Sequence, residues 1–123
     1  MKAKKRLLLV DDDEAHLLWA SEVLEENGFE IISSKSSKEA LELIKKERID
    51  LIISDLVMPE MGGIEFVKKI ADIKADQRVI IMTGHGDIDS YIESRYNLGA
   101  LEYIGKPIKI EEFLKVINEV IAN

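Results

Sequence analysis

LIISDLVMPEMGG, residues 51–63, is the stretch from which the rest of the chain can be read. Its start, Leu51, Ile52 and Ile53, is wholly apolar, the pattern of a strand covered on both faces. Ser54 then leads to a single carboxylate, Asp55, and a Met58-Pro59 turn and the Gly62-Gly63 pair follow. A strand that delivers an acid to its carboxyl end and turns sharply presents that acid for use. Read from the residues alone, Asp55 is an acceptor for a phosphoryl group or a cap on the turn after its strand.

Outward from this segment, apolar strands alternate with amphipathic helices. Strands are expected over 7–10, 29–33, 49–54, 78–82 and 101–104, the fourth ending at Thr83. Helices are expected from Asp13 as N-cap to Asn27 with Gly28 as C′, from Ser36 toward Arg48, over 63–73, over 87–98 closed by Gly99, and at the C-terminus. Ser36 with Glu39 three residues later has the form of a capping box. In the first helix His16, Trp19, Ala20, Val23 and Leu24 recur at helical spacing as the buried stripe, with Leu17 and Leu18 beside it and partly exposed. Ile64, Val67 and Ile70 face inward from the third helix. Ile110, Phe113, Leu114, Ile117, Val120 and Ile121 form one stripe on the last. Five alternations argue for an α/β fold, a doubly wound parallel sheet with helices on both faces. The 123 residues are read as one domain, 1–123, with no repeat or low-complexity stretch.

Composition narrows the function. The formal net charge of −7 opposes nucleic-acid binding by this domain, which needs a basic face, and suits a metal cation or a basic partner. With no cysteine, disulfides, zinc thiolates and a cysteine nucleophile are excluded, and a cytoplasmic location is expected. No apolar run approaches the roughly 18 residues of a membrane span. The basic start (Lys2, Lys4, Lys5, Arg6) leads into only four apolar residues before Asp11, too few for a signal peptide.

Parallel sheets bind ligands at the carboxyl ends of their strands. Here those ends carry Asp11 and Asp12, Asp55, Thr83 and Lys106. Three carboxylates at one rim repel one another unless a cation joins them, and all-oxygen ligands suit a hard ion such as Mg²⁺. Asp55 is then ligand and nucleophile together, with Lys106 neutralising charge and Thr83 donating a hydrogen bond to the phosphoryl group. Each residue also has a plain reading: Asp11–Asp13 as a capping cluster, Thr83 as a strand-end hydroxyl, Lys106 as a surface lysine before Pro107. Their coincidence at one rim favours the chemical one.

The stretches LLLVDDD, DLVMPEMGG, VIIMTGHGD and LGALEYIGKP resemble the receiver domains of bacterial two-component response regulators, and the resemblance runs the whole chain. It implies a flavodoxin-like three-layer α/β/α fold of five strands in the order 2-1-3-4-5 with five helices. It implies Asp55 as phosphoacceptor, supplied from a phosphohistidine on a sensor histidine kinase or phosphotransfer protein. Mg²⁺ would be held by Asp11, Asp12, Asp55 and the backbone carbonyl of Val57, with Lys106 at the phosphoryl charge and Thr83 and Tyr103 as the switch pair. The output would leave through the last two helices and the strand between them, toward an effector domain or protein or a second copy in a homodimer. Such a domain assists its own phosphorylation without being a turnover enzyme. Tyr103 also reads as a half-buried aromatic on an edge strand.

Some positions depart from the family pattern. The span from Thr83 to Lys106 carries one extra residue, enough to turn a helical face by about 100°. Leu56 rather than an aromatic follows Asp55, and Leu101 makes the output face more apolar. Tyr91 and Tyr96 are expected as exposed contacts. His85 reads as a loop histidine or a modulator of water access, and His16 as a packed histidine. Trp19, the only tryptophan, is expected to report metal poorly. Leu17, Leu18 and the loop after Lys106 are candidate kinase contacts. TGHGD is similar to receivers joined to ATP-driven transcription activators. With the chain stopping at Asn123, a single-domain regulator or a piece of a longer protein is expected. Two other readings compete: a phosphatase of the haloacid-dehalogenase type using Asp11-x-Asp13, and a receiver-like binding module independent of phosphorylation.

Overall fold

The computed structural model describes residues 4–55, 61–83, 101–105 and 108–122, with Ile64, Thr83, Gly105 and residues 101–103 described by backbone alone. In chain order the elements are β1 (Arg6–Val10), α1 (Glu14–Glu26), β2 (Glu30–Ser34), α2 (Ser37–Lys46), β3 (Leu51–Asp55), α3 (Gly63–Ile73), β4 (Val79–Thr83), β5 (Leu101–Gly105) and a C-terminal helix (Ile110–Ala122). The strands form one parallel sheet in the order β2-β1-β3-β4-β5. The described residues thus hold five strands and four helices; the helix expected over 87–98, with His85, Tyr91 and Tyr96, lies outside them.

The period-2 alternation of the central strands explains the three layers. Leu8, Val10, Ile52, Val79 and Ile81 point to one face and pack with Ala40 and Ile44 of α2 and Phe66, Val67 and Ile70 of α3. Leu7, Leu9, Leu51, Ile53, Ile80 and Met82 point to the other and pack with Leu17, Ala20 and Leu24 of α1 and Phe113 and Ile117 of the C-terminal helix. Burying each of the Val, Leu, Ile, Phe and Met side chains among them contributes about 1.5–3 kcal/mol. The sheet is therefore hydrophobic through its full thickness, and polar chemistry is left to its two ends.

Local signals set the helix limits. Asp13 caps α1, its side chain accepting from the His16 N–H. At the other end Gly28, at φ 91°, donates to the Glu25 carbonyl while the Phe29 N–H reaches the Leu24 carbonyl, a Schellman closure. Ser36 caps α2 through the Glu39 N–H at 3.3 Å, but its own N–H donates to Ser34 Oγ at 3.2 Å, so the cap is built with the preceding strand.

Two expectations about packing are corrected, one in α1 and one in the C-terminal helix. In α1 the fully packed positions are Leu17, Ala20 and Leu24, and His16, Trp19 and Val23 form a half-buried flank. The packed stripe takes in Leu17 in place of His16, and His16 has a polar partner at the carboxyl rim. In α3 Val67 and Ile70 face inward as expected, joined by the fully buried Phe66, which the pattern left out; the Ile64 side chain lies outside the described residues. Ile110, 44% exposed, lies off the stripe of the C-terminal helix, at its first turn.

The amino ends of β1, β2 and β3 carry a self-compensating charge network. The β1–β2 register sets Arg6 beside Glu30, and the Arg6 guanidinium reaches Glu30 at 2.9 Å and Glu47 at 3.0 Å. Asp50 accepts from the Arg6 N–H at 2.8 Å and from Arg48 at 2.8 Å. Hydrogen bonding to Arg6 holds the Glu30 carboxyl below its ordinary range, and the same bond raises Arg6. Burial pushes the Asp50 carboxyl up, but the Arg6 N–H and Arg48 outweigh it and the group sits below its ordinary value. Beside this network Arg78 donates to the Val120 and Ile121 carbonyls, supplying a cation to the end of a helix that has none in its own last turn.

Candidate functional site

The register of the sheet brings the acids together. Val10 of β1 pairs with Ser54 of β3, so the next residue on each strand, Asp11 and Asp55, emerges side by side. The chain crosses from β2, on one side of β1, to β3 on the other, which makes the carboxyl ends of β1 and β3 the switch point where such sheets bind ligands. Asp12 follows directly. Carboxylate oxygens of Asp11, Asp12 and Asp55 all lie within 4.8 Å of one another. Asp11 is 1% exposed and Asp55 9%, while Asp12 is open to solvent.

Two buried acids this close to a third oppose one another electrostatically. The donor set is all oxygen, matching a hard divalent ion that takes one or two carboxylates and completes its shell with water or phosphate. The residues therefore fit the metal that the fold suggests. Asp55 ends a strand whose five residues are all buried, and the buried Ser54 hydroxyl donates to the Asp55 carbonyl at 3.0 Å, fixing the peptide that carries the acid. Asp11 is held from its own loop, with Oδ1 accepting from the Asp13 N–H at 3.0 Å and the Asp11 N–H donating to the Ser34 carbonyl at 3.1 Å.

An open cleft of about 610 Å³ lies over these groups, lined by Asp11, Asp12, Asp13, His16, Trp19, Asp55 and Ile108. His16, Trp19 and Ile108 were not anticipated there. His16 Nδ1 is hydrogen-bonded to Asp11 Oδ2. Its ring stacks on Trp19 with centroids 5.7 Å apart, and Trp19 stacks on Phe113 at 6.1 Å. The expectation of a packed histidine holds for the stack and misses the bond to Asp11. Trp19 borders the acidic cleft, which removes the ground for expecting it to report metal poorly. The available signal was positional: His16 is the third residue of α1, and helical side chains lean toward the helix N-terminus, here toward Asp11.

Other expected site residues are reached in part. Met82 pairs with Asp55 and Thr83 with Gly105, so the Thr83 backbone stands one residue beyond Asp55 at the same rim. The Tyr103 backbone pairs with Ile81 on edge strand β5. Val57 and Lys106 lie outside the described residues. Asp13 is engaged as the α1 cap, which disfavours the Asp11-x-Asp13 phosphatase reading. Of the candidate contacts on α1, Leu18 is 62% exposed but Leu17 is buried at 7%, so only Leu18 offers a surface. No helix among the described residues is long and apolar enough to cross a membrane.

Comparison with known proteins agrees with this geometry. The response regulator receiver domain family matches residues 7–118. The chain is 35% identical to the sporulation initiation phosphotransferase F of Bacillus subtilis, over 94% of this chain and 92% of that protein. It is 31% identical to the transcriptional regulatory protein GlrR of Escherichia coli over 94% of its length, but spans only 26% of that relative. A response regulator receiver domain protein from Clostridium thermocellum superposes with a TM-score of 0.90 at 33% identity, covering 96% of this chain and 94% of that one. With its acids gathered at the switch point of this sheet, the chain belongs to the response regulator receiver domain family, the phosphorylation-activated switches of two-component signalling.

Proposed function

We propose that Asp55 is the residue that carries the phosphoryl group. A carboxylate oxygen of Asp55 attacks phosphorus, the bond from phosphorus to the donor imidazole nitrogen breaks, and that nitrogen keeps the electron pair. Asp11, Asp12 and Asp55, with the backbone carbonyl of Val57, would hold Mg²⁺, which when bound supplies neutralisation of phosphoryl oxygen charge. Asp11 and Asp12 would act on those oxygens only by holding the cation, Lys106 offsets the remaining charge, and Thr83 donates to the phosphoryl group once it is on Asp55. Tyr103, on the edge strand, turns with Thr83 and alters the face formed by β5 and its flanking helices, the one over 87–98 completing a set of five. The observation that carries this reading is the convergence of three carboxylates within 4.8 Å at the switch point of the sheet.

On this reading residues 1–123 act as one cytoplasmic receiver, a switch rather than a turnover enzyme. Its donor is a sensor histidine kinase or a phosphotransfer protein, and its output is an effector domain or protein, with a homodimer as one form of response. The test is a small-molecule phosphodonor, or beryllofluoride, with Mg²⁺. Amide signals around Thr83 and Tyr103 shift in the wild type and stay still in Asp55→Asn. An unmoved wild type, or the same shift in Asp55→Asn, contradicts it.

A further inference from the structure

We infer that His16 is a positioning residue for the divalent cation, fixing the carboxylate of Asp11 in the orientation that receives it; this rests on the cation reading above. Asp11 is almost wholly buried and bonded on both oxygens, Oδ1 by the Asp13 N–H at 3.0 Å and Oδ2 by His16 Nδ1. Two donors on opposite oxygens define the plane of a carboxylate. A carboxylate offers about four acceptor positions, so bonding to donors of the protein does not bar it from ligating a cation. In its ionised, cation-binding form the Asp11 carboxylate only accepts, so Nδ1 is the donor of this bond.

The rest of the local structure holds the ring in place. The His16 N–H donates to the Asp13 side chain at 3.2 Å, so backbone and side chain of one residue are tied to two neighbouring aspartates. The ring lies 12° from parallel with Trp19, and Trp19 lies 19° from parallel with Phe113, which is fully buried in the core. The stack runs from the core under the C-terminal helix to the bond on Asp11. Groups that bond a metal-ligating carboxylate orient it, and their loss commonly costs 10- to 100-fold in metal affinity.

Mn²⁺ serves as the probe, since it takes the same oxygen ligands and its free form is counted directly by electron paramagnetic resonance. His16→Leu removes the donor at similar volume and should weaken Mn²⁺ binding by about 10-fold or more. His16→Asn places an amide N–H at the distance of Nδ1 and should bring affinity back to within about threefold of wild type, a rescue that packing alone does not produce. Thermal unfolding without metal shows that each variant is folded. Folded His16→Leu that binds Mn²⁺ as tightly as wild type overturns the role of His16, and so does His16→Asn that binds no better than His16→Leu. Wild type that takes up no Mn²⁺, or uptake that survives Asp12→Asn and Asp55→Asn unchanged, overturns the cation reading itself and the inference with it.

Discussion

At the amino ends of the strands Arg6 meets Glu30 and Glu47, and Arg48 meets Asp50, all within 3.0 Å. At the carboxyl ends Asp11, Asp12 and Asp55 face one another within 4.8 Å. Both rims belong to the same sheet, sit over the same two cores and carry three acids each, Glu30, Glu47 and Asp50 at one and Asp11, Asp12 and Asp55 at the other. They differ in what answers the acids. At the amino rim the chain supplies guanidinium groups in matching register, and charge is settled internally. At the carboxyl rim like charges are crowded and partly buried, an arrangement that gains most from a cation brought from outside. The first is the pattern of a region selected to hold; the second is the pattern of one selected to bind.

The contrast is broken most readily at Asp50. Asp50→Ala removes a charge-assisted acceptor from both the Arg6 N–H and Arg48, and should lower stability by about 1–3 kcal/mol in urea unfolding. Phosphoryl uptake at Asp55 should be unchanged, because the two sites lie at opposite ends of β3. A loss of uptake in a folded Asp50→Ala would mean that the rims are coupled.

A smaller effect follows from pH. Glu30 and Asp50 have folded-state values below those of the unfolded chain, so the native state binds fewer protons at these groups. Their contribution is fully present above the ordinary carboxylate value of about 4 and is lost as pH falls through the folded values. Denaturant midpoints measured from neutral pH downward should therefore decline on acidification. The double substitution Glu30→Gln with Asp50→Asn should flatten that decline, and an unaltered acid limb would place its origin elsewhere.

Much of this was legible in the sequence because it depends on short-range pattern. The apolar runs of β1 and β3, the Asp13 and Ser36 caps, the Gly28 closure and the limits of α3 all follow from residue type and spacing. The clustering of Asp11, Asp12 and Asp55 follows from strand ends plus parallel register. What was not legible depends on orientation. A helical period cannot say which of two adjacent residues faces the sheet, so it leaves Leu17 partly exposed and Ile110 on the inner stripe, whereas Leu17 is buried and Ile110 is not. His16 read as apolar-face packing because its partner, Asp11, lies outside the helix, where a periodic pattern carries no information. The Arg6 network draws on residues up to 44 apart, and only the fold aligns them.

The smallest expected effect lies away from both rims. Leu18 is 62% exposed, so Leu18→Ser should change stability by less than about 0.5 kcal/mol. A kinase or phosphotransfer protein that docks on α1 should transfer phosphoryl groups to this variant more slowly. Equal transfer rates would remove Leu18 from the docking surface.

Stability as a function of Mg²⁺ separates the two rims. Wild type should gain stability as Mg²⁺ is added, by an amount set by the ratio of its concentration to the dissociation constant. Asp55→Asn relieves repulsion, so it should be more stable than wild type in metal-free buffer, on the order of 1 kcal/mol, and nearly insensitive to Mg²⁺. Asp50→Ala should start lower and keep the full Mg²⁺ gain. The contradicting result is Asp55→Asn that is destabilised without metal and still gains as much from Mg²⁺ as the wild type.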